Sequence, residues 1–282
     1  MFVLDWRRTY HHLTATMYPI IFELGPVTIY SFGVFMALAA LVAAWVVHAE
    51  LKRRGYDPEL ASTLVFAAAI GGLIGARLLF IVEQWDNFLA APLDYIFTGS
   101  GFTWYGGFFG GVIGVSWVVK KNDIPWLAGA DIAAPALVLA YGVGRLGCHF
   151  AGDGDWGTVT AVPWGVAYTN AIIGWVDPTT GIPYPPGTRV HPTPIYEFIG
   201  SIISFGILWS LRDKNYAPGT IAWLYLILSG CARLLVEFWR INPPLAWGLS
   251  EAQWFSLALM TLGVFLLIIR PPRAAPAKVN AH

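Results

Sequence analysis

Arg77, Arg145 and Arg233 lie inside long apolar runs, each near one end of its run, and His191, Glu197, Glu237 and Arg240 fall at matching run ends. An ionised side chain at the centre of a lipid-embedded helix costs about 2.5 to 3.5 kcal/mol even on insertion scales, which a cavity or a partner must offset, and three guanidinium groups at similar depth favour a shared polar cavity. Snorkelling to the headgroups is the plainer account of any one of them alone. Arginine is the informative choice, because its planar guanidinium stays charged when partly desolvated and offers a fork of donors that matches phosphate. The chemistry expected is capture of an anion, foremost a lipid phosphate. Arg233, Glu237 and Arg240 are spaced i, i+4, i+7 and share one helical face, so Glu237 can neutralise one arginine while another stays free. An internal ion-pair ladder is the competing account.

Cys148 and His149 are adjacent, and adjacent helical residues point about 100° apart, which weighs against a nucleophilic dyad and leaves His149 open as a general base. His191 is better suited to ordering a loop end or donating to a headgroup. Two cysteines, Cys148 and Cys231, are too few for a disulfide framework. His149, His191, Asp153 and Asp155 follow no metal-ligand spacing, so no metal and no other cofactor is expected. Gly71, Gly72 and Gly75 precede Arg77, five glycines from Gly106 to Gly114 follow Tyr105, and Gly142, Gly144 and Gly147 surround Arg145. Small residues at such spacing let helix backbones approach closely. Gly106 and Gly107, beside Trp104 and Tyr105, could also present backbone to a ligand.

The elements that must position these residues are membrane helices. The chain has 282 residues, 56% hydrophobic and 12% charged, against about 25% charged in soluble domains, and its mean hydropathy is +0.59. With a formal net charge of +0, no basic surface large enough to attract nucleic acid by net charge is implied. Fourteen tryptophans and twelve tyrosines suit the headgroup layer of a bilayer. About 20 apolar residues span the hydrocarbon core. Seven runs qualify: Ile29 to Val47, Leu60 to Val82, Phe102 to Val119, Leu127 to Leu146, Ile195 to Leu211, Ile221 to Trp239 and Ala252 to Ile269. The expectation is an all-α integral membrane protein, a single transmembrane domain over 1–282 with seven helices.

Lysine and arginine set the orientation. Lys52, Arg53 and Arg54, then Lys120 and Lys121, then Arg212 and Lys214, then Arg270, Arg273 and Lys278 follow alternate spans and share one side, which becomes cytoplasmic. The N-terminus then faces outward and the C-terminus inward. Met1 to Tyr18 carries no signal-peptide pattern, and Arg7 and Arg8, against the rule, read as part of an interfacial helix with Trp6 and Tyr10. The segment 148–194, rich in Gly, Pro, Asp, Trp and Thr, is expected as a large outer loop between helices four and five, and 271–282 as a flexible cytoplasmic tail.

Several blocks carry a family likeness. GRLGCHFAGDGDWG from Gly144 to Gly157 resembles the signature of the prolipoprotein diacylglyceryl transferase family, and HPTPIYE from His191 to Glu197 resembles its HPxQLYE block. GARLLF at Gly75, WYGGFFGG at Trp104, ARLLVEFWR at Ala232 and GLSEAQW at Gly248 follow in the family's order, so the likeness covers nearly all seven spans. The resemblance implies transfer of a diacylglyceryl group from phosphatidylglycerol to the thiol of a lipobox cysteine in a prolipoprotein signal peptide, with release of glycerol phosphate, in the bacterial cytoplasmic (inner) membrane. By the same resemblance Arg145 and Arg233 hold and stabilise the phosphate, with Tyr105 and His149 as further catalytic candidates. Arg77, Arg240, Glu237, His191, Glu197, Asp155, Gly106 and Gly107 line the substrate site. The chain departs from the family pattern at Tyr105, where a histidine is usual, at Cys148 and His149 in place of an asparagine, and at Phe32, Pro194 and Ser229. Either Asp153 or Asp155 stands for the family's acid. The competing readings are a homologue with another acceptor, separated by complementation, and a lipid or anion transporter or binding protein, separated by flux without covalent product.

Overall fold

The computed structural model describes residues 17–269, apart from residue 26, residues 98–100 and residue 215. The interfacial helix expected around Arg7 and Arg8 and the tail expected at 271–282 lie outside the described residues. In chain order there is a hairpin of β1 (Ile20–Leu24) and β2 (Val27–Tyr30), then α1 (Ser31–Arg54), α2 (Leu60–Glu83), short α3 (Trp85–Ala90) and α4 (Pro92–Phe97), α5 (Trp104–Lys121) and α6 (Trp126–Ala151). After a long connection come α7 (Thr193–Leu211), α8 (Thr220–Glu237), a small hairpin of β3 (Pro244–Ala246) and β4 (Leu249–Ser250), and α9 (Glu251–Ile269).

Each expected span overlaps one helix, most of them at nearly the expected bounds, although α1 runs seven residues past the expected Val47 to Arg54. Six of them, α1, α2, α6, α7, α8 and α9, are long and apolar enough to cross a membrane. Helix α5 occupies the third expected span, but its 18 residues open on Trp-Tyr-Gly-Gly and close on Lys120 and Lys121, which shortens its apolar length. Two bounds differ informatively. Helix α6 runs through Cys148 and His149 to Ala151, so the loop expected from Cys148 starts only at Gly152. The chain leaves the helix there because Gly152 adopts a left-handed φ of 63° and its N–H closes on the Cys148 carbonyl at 3.0 Å. Helix α8 stops at Glu237, and Arg240 lies beyond it in a turn.

The chain divides into two compact units, Val42–Ala136 and the remainder. Within Val42–Ala136, α2 and α5 touch backbone to backbone. A Cβ at Gly75 would collide with the Gly106 carbonyl, and one at Gly71 with the Gly110 carbonyl. The expected packing role of these glycines is thus realised by facing pairs on two helices. Exposed Ile70, Leu73, Ile74 and Leu78 line the rest of α2, an apolar surface suited to lipid and not to water. At the other end of this unit, buried Glu50 takes Arg53 at 2.6 Å and Arg54 at 3.3 Å.

In the second unit, small residues bring α6, α7, α8 and α9 together. A Cβ at Gly142 would stand 2.7 Å from Ser201 Cβ, and one at Gly200 would stand 3.3 Å from Ala232 Cβ. Gly230 and Gly263 bring α8 against α9 in the same way. The Gly142, Gly200 and Gly230 contacts lie within about one helical turn of Arg145, Glu197 and Arg233, so close backbone approach sets the distance between charged side chains. The connection from Gly152 to Pro192 is an ordered head. Its core is Met17, Trp156, Tyr168 and Val190, with Trp175, Tyr184 and Ile241 packed against it. The Trp156 and Tyr168 rings stack at 4.9 Å between centroids.

Candidate functional site

Glu197 occupies the first turns of α7, where its side chain is buried between α6 and α8. One carboxylate oxygen pairs with Arg145 Nε and the other with Arg233 Nη1. Arg240 Nη1 stands 3.8 Å from the same carboxylate. Two more acids close the network. Glu237, one turn after Arg233, faces Arg233 Nη2 at 2.8 Å and Arg240 Nε at 3.9 Å. Asp155, from the head, accepts from Arg145 Nη1 and from Arg240 Nη2, each at 2.5 Å. Three guanidiniums therefore converge on three carboxylates, which offsets their desolvation.

The loop that carries Asp155 is held on three sides. The Asp155 carbonyl accepts from Thr193 Oγ1 at 2.6 Å and Arg240 Nη1 at 3.2 Å. The Gly157 N–H donates to the His191 carbonyl at 2.8 Å, and the Thr158 N–H donates to the Trp239 carbonyl at 2.7 Å. A Cβ at Gly157 would collide with that Trp239 carbonyl, so only glycine permits this junction. The entrance and exit of the head and the chain beyond α8 thus meet at one point. Of the two acids left open by the sequence, Asp155 is the one that pairs with Arg145 and Arg240, while Asp153 accepts from the Asp155 N–H at 3.3 Å and is hydrogen-bonded to Cys148.

The titration of the head acids follows from this arrangement. Burial alone would raise the Asp155 carboxyl, but Arg145 and Arg240 outweigh it and draw the pKa down to about 2. Asp153 moves the opposite way, raised by burial and by the neighbouring Asp155 charge. Burial would loosen the Arg240 proton, yet Asp155 and Glu197 hold it more firmly than usual. His191 is lowered by burial.

His149 and Cys148 diverge as their helical spacing requires. Cys148 Sγ lies 3.4 Å from Arg145 Nη1, whereas His149 Nδ1 lies 2.9 Å from the hydroxyl of fully buried Tyr168. The direction of this hydrogen bond depends on which ring nitrogen of His149 carries the hydrogen. His191 Nδ1 lies 3.0 Å from Tyr196 Oη, which also accepts from Trp164 Nε1 at 2.7 Å, so His191 is engaged where the head rejoins α7. Ligand atoms of Cys148, Asp153 and Asp155 come within 4.8 Å of one another, a grouping the sequence spacing did not suggest. Arg145 already stands against Cys148 and Asp155, and its fixed positive charge opposes a metal ion there.

Arg77, Tyr105, Gly106 and Gly107 belong to the Val42–Ala136 unit. Arg77 Nη1 donates to the Gly101 carbonyl at 2.9 Å and its guanidinium lies 4.8 Å from the centre of the Phe102 ring. Tyr105 is exposed at the start of α5, edge-on to Trp104. Gly106 and Gly107 face α2. Several polar residues of the network were not anticipated: Thr193 on the Asp155 carbonyl, and Ser250 and Asn242, each donating to Glu237 Oε1 at 2.6 Å. Ser250 lies in the GLSEAQW block, whose Ser-x-x-Gln spacing is a helix-start pattern that points to the hydroxyl.

Comparison with known proteins bears on this geometry. A family model described as prolipoprotein diacylglyceryl transferase matches residues 19–269. A Clostridium tetani protein named phosphatidylglycerol–prolipoprotein diacylglyceryl transferase is 34% identical over 255 residues, which covers 90% of this chain and 98% of that protein. Proteins of the same name from Leptospira interrogans and Staphylococcus xylosus are 30% and 32% identical. The first alignment covers 86% of this chain and 89% of the relative, and the second 89% of each.

Proposed function

Because this chain belongs to the prolipoprotein diacylglyceryl transferase family, we propose that it moves a diacylglyceryl group from phosphatidylglycerol to the cysteine thiol of a prolipoprotein lipobox. The observation that carries the site assignment is the convergence of Arg145 and Arg233 on the single buried carboxylate of Glu197. That carboxylate fixes two guanidiniums within reach of one further anion while each keeps N–H donors to spare. Arg233 is the more open, with its side chain 25% exposed against 13% for Arg145 and 10% for Arg240. Arg233 therefore meets the lipid phosphate, and Arg145 backs it.

In the reaction the acceptor thiol loses its proton to water, and the thiolate sulfur attacks the glyceryl carbon that bears the phosphate ester. The carbon–oxygen bond breaks, its electron pair stays on the phosphate oxygen, and glycerol phosphate departs. A free thiol with pKa about 8.5 is only a few per cent ionised at neutral pH, so a positive field near the acceptor favours the thiolate. The same guanidiniums stabilise the charge that develops on the leaving phosphate. His149, whose Nδ1 lies 2.9 Å from the Tyr168 hydroxyl, ties α6 to the head. Tyr105 and Arg77 contribute to binding the lipid, Tyr105 as a hydrogen-bond donor. Gly106 and Gly107 serve chiefly in packing.

The reading includes a topology: seven spans with α5 as the third, the N-terminus and head outside, the C-terminus cytoplasmic, in the cytoplasmic (inner) membrane. The sorting of all five lysines to alternate connections or the tail on one side supports it. Mass spectrometry of a lipobox peptide incubated with the protein and phosphatidylglycerol tests the reaction. A diacylglyceryl mass gain on the cysteine, absent from the Cys→Ser peptide, is expected, and an unmodified peptide overturns the proposal.

A further inference from the structure

Glu237 is the last residue of α8 and its side chain is 2% exposed. Its Oε2 faces Arg233 at 2.8 Å, while its Oε1 receives Ser250 Oγ and Asn242 Nδ2, each at 2.6 Å. Ser250 has a second task. Its N–H donates to Gln253 Oε1 at 2.9 Å, and its Oγ accepts the Gln253 N–H at 3.3 Å, the reciprocal pairing that closes the start of α9. A hydroxyl carries one hydrogen. Because Oγ accepts from Gln253, that hydrogen is directed at Glu237, and the start of α9 fixes the direction from which the carboxylate is held.

The geometry points to Ser250 as a positioning residue for the transfer reaction: its hydroxyl, with Asn242, orients Glu237 and thereby the face that Arg233 turns toward the phosphate. This rests on the reading of Arg233 as the phosphate ligand. The two tasks of Ser250 separate by substitution. Asn242→Ala removes a donor to Glu237 and leaves the α9 pairing intact. Gln253→Ala removes half of that pairing and leaves both donors to Glu237. Ser250→Ala removes a donor and weakens the pairing, and Ser250→Thr preserves both.

The test measures KM for phosphatidylglycerol, kcat with a lipobox peptide and Tm for each purified full-length variant. Ser250→Ala and Asn242→Ala each raise KM about tenfold, the size expected for loss of one hydrogen bond to a charged group. Ser250→Thr restores KM to within about twofold, and Gln253→Ala lowers Tm without moving KM. An unchanged KM in Ser250→Ala, or a KM that tracks Tm across all four variants, overturns the inference. Arg233→Lys, which keeps the charge and loses the fork, distinguishes the two levels. A wild-type KM in Arg233→Lys and in Arg233→Ala overturns the phosphate reading itself, whereas a raised KM there with an unchanged Ser250→Ala overturns only the role of Ser250.

Discussion

At the scale of single residues, Arg145 serves two acids on different elements, Glu197 on α7 and Asp155 in the head. Breaking a buried pair by removing one partner costs about 3–5 kcal/mol, and losing a donor that faces developing charge lowers a rate by about a hundredfold or more. Arg145→Ala is therefore expected to lose transfer by at least that factor and to unfold at lower temperature, measured by initial rates and by Tm in detergent. The acids give a sharper contrast. Asp155→Asn is expected to lower transfer by about tenfold or more, because Asp155 holds two guanidiniums, while Asp153→Asn stays within about twofold. The pH dependence follows from sign. Asp155 has a folded pKa of about 2, below its ordinary value, so its pairs stabilise the fold fully above about pH 4 and that contribution is lost as the pH falls toward 2. Between about pH 5 and 8 Asp155 stays ionised, so a pH–rate profile shows no acid limb from it there and rises with ionisation of the acceptor thiol. The charged members of the network other than Asp155 are legible in the sequence because each stands in or at the end of an apolar run, whereas Asp155 lies in the Gly- and Asp-rich head and is reached only through the family resemblance. Ser250, Asn242 and Thr193 are neutral residues in or beside connectors, where nothing about their type is unusual and only the fold brings them to Glu237 and Asp155.

At the scale of elements, the distances between charged groups are set by small residues near them. Gly142 against Ser201 and Gly200 against Ala232 fix how near α6 and α8 come to α7, and so whether Arg145 and Arg233 can share Glu197. Replacing Gly110 by Leu in α5 drives a side chain into the Gly71 carbonyl of α2, and overpacking of this kind costs about 1–3 kcal/mol. The expected outcome is a clear fall in Tm, whereas Leu at exposed Gly181 leaves its surroundings unfilled and affects only a strained turn of the head. The spans are readable because a long apolar run needs no partner to declare itself: Leu60 to Val82 becomes Leu60–Glu83, and Ala252 to Ile269 becomes Glu251–Ile269. The fold of the head is not readable, since Val159 and Val166 both bridge Val190, single pairings across tens of residues that leave no periodic trace. The hairpin of β1 and β2 hides for another reason. Nearly all of its residues are exposed and apolar, so it has no alternation from which a strand could be recognised.

At the scale of the whole molecule, the sorting of lysine from arginine separates orientation from chemistry, and the proposed topology can be checked directly. A protease site inserted at Gly181, in the exposed part of the head, is expected to be cut from outside intact spheroplasts, and one inserted between Lys121 and Ile124 only after lysis; cleavage in the reverse order overturns the orientation. The junction at Gly157 has a consequence for covalent continuity. Because Gly157 and Thr158 are bonded to His191 and to Trp239, the two flanks of the head are tied to each other and to the chain beyond α8 independently of the peptide bonds between them. The segment Pro185–Gly187 is exposed and lies between the two tied flanks, Gly157 and His191. A chain severed there should hold together, and two separately expressed halves meeting in one membrane should assemble into a working transferase.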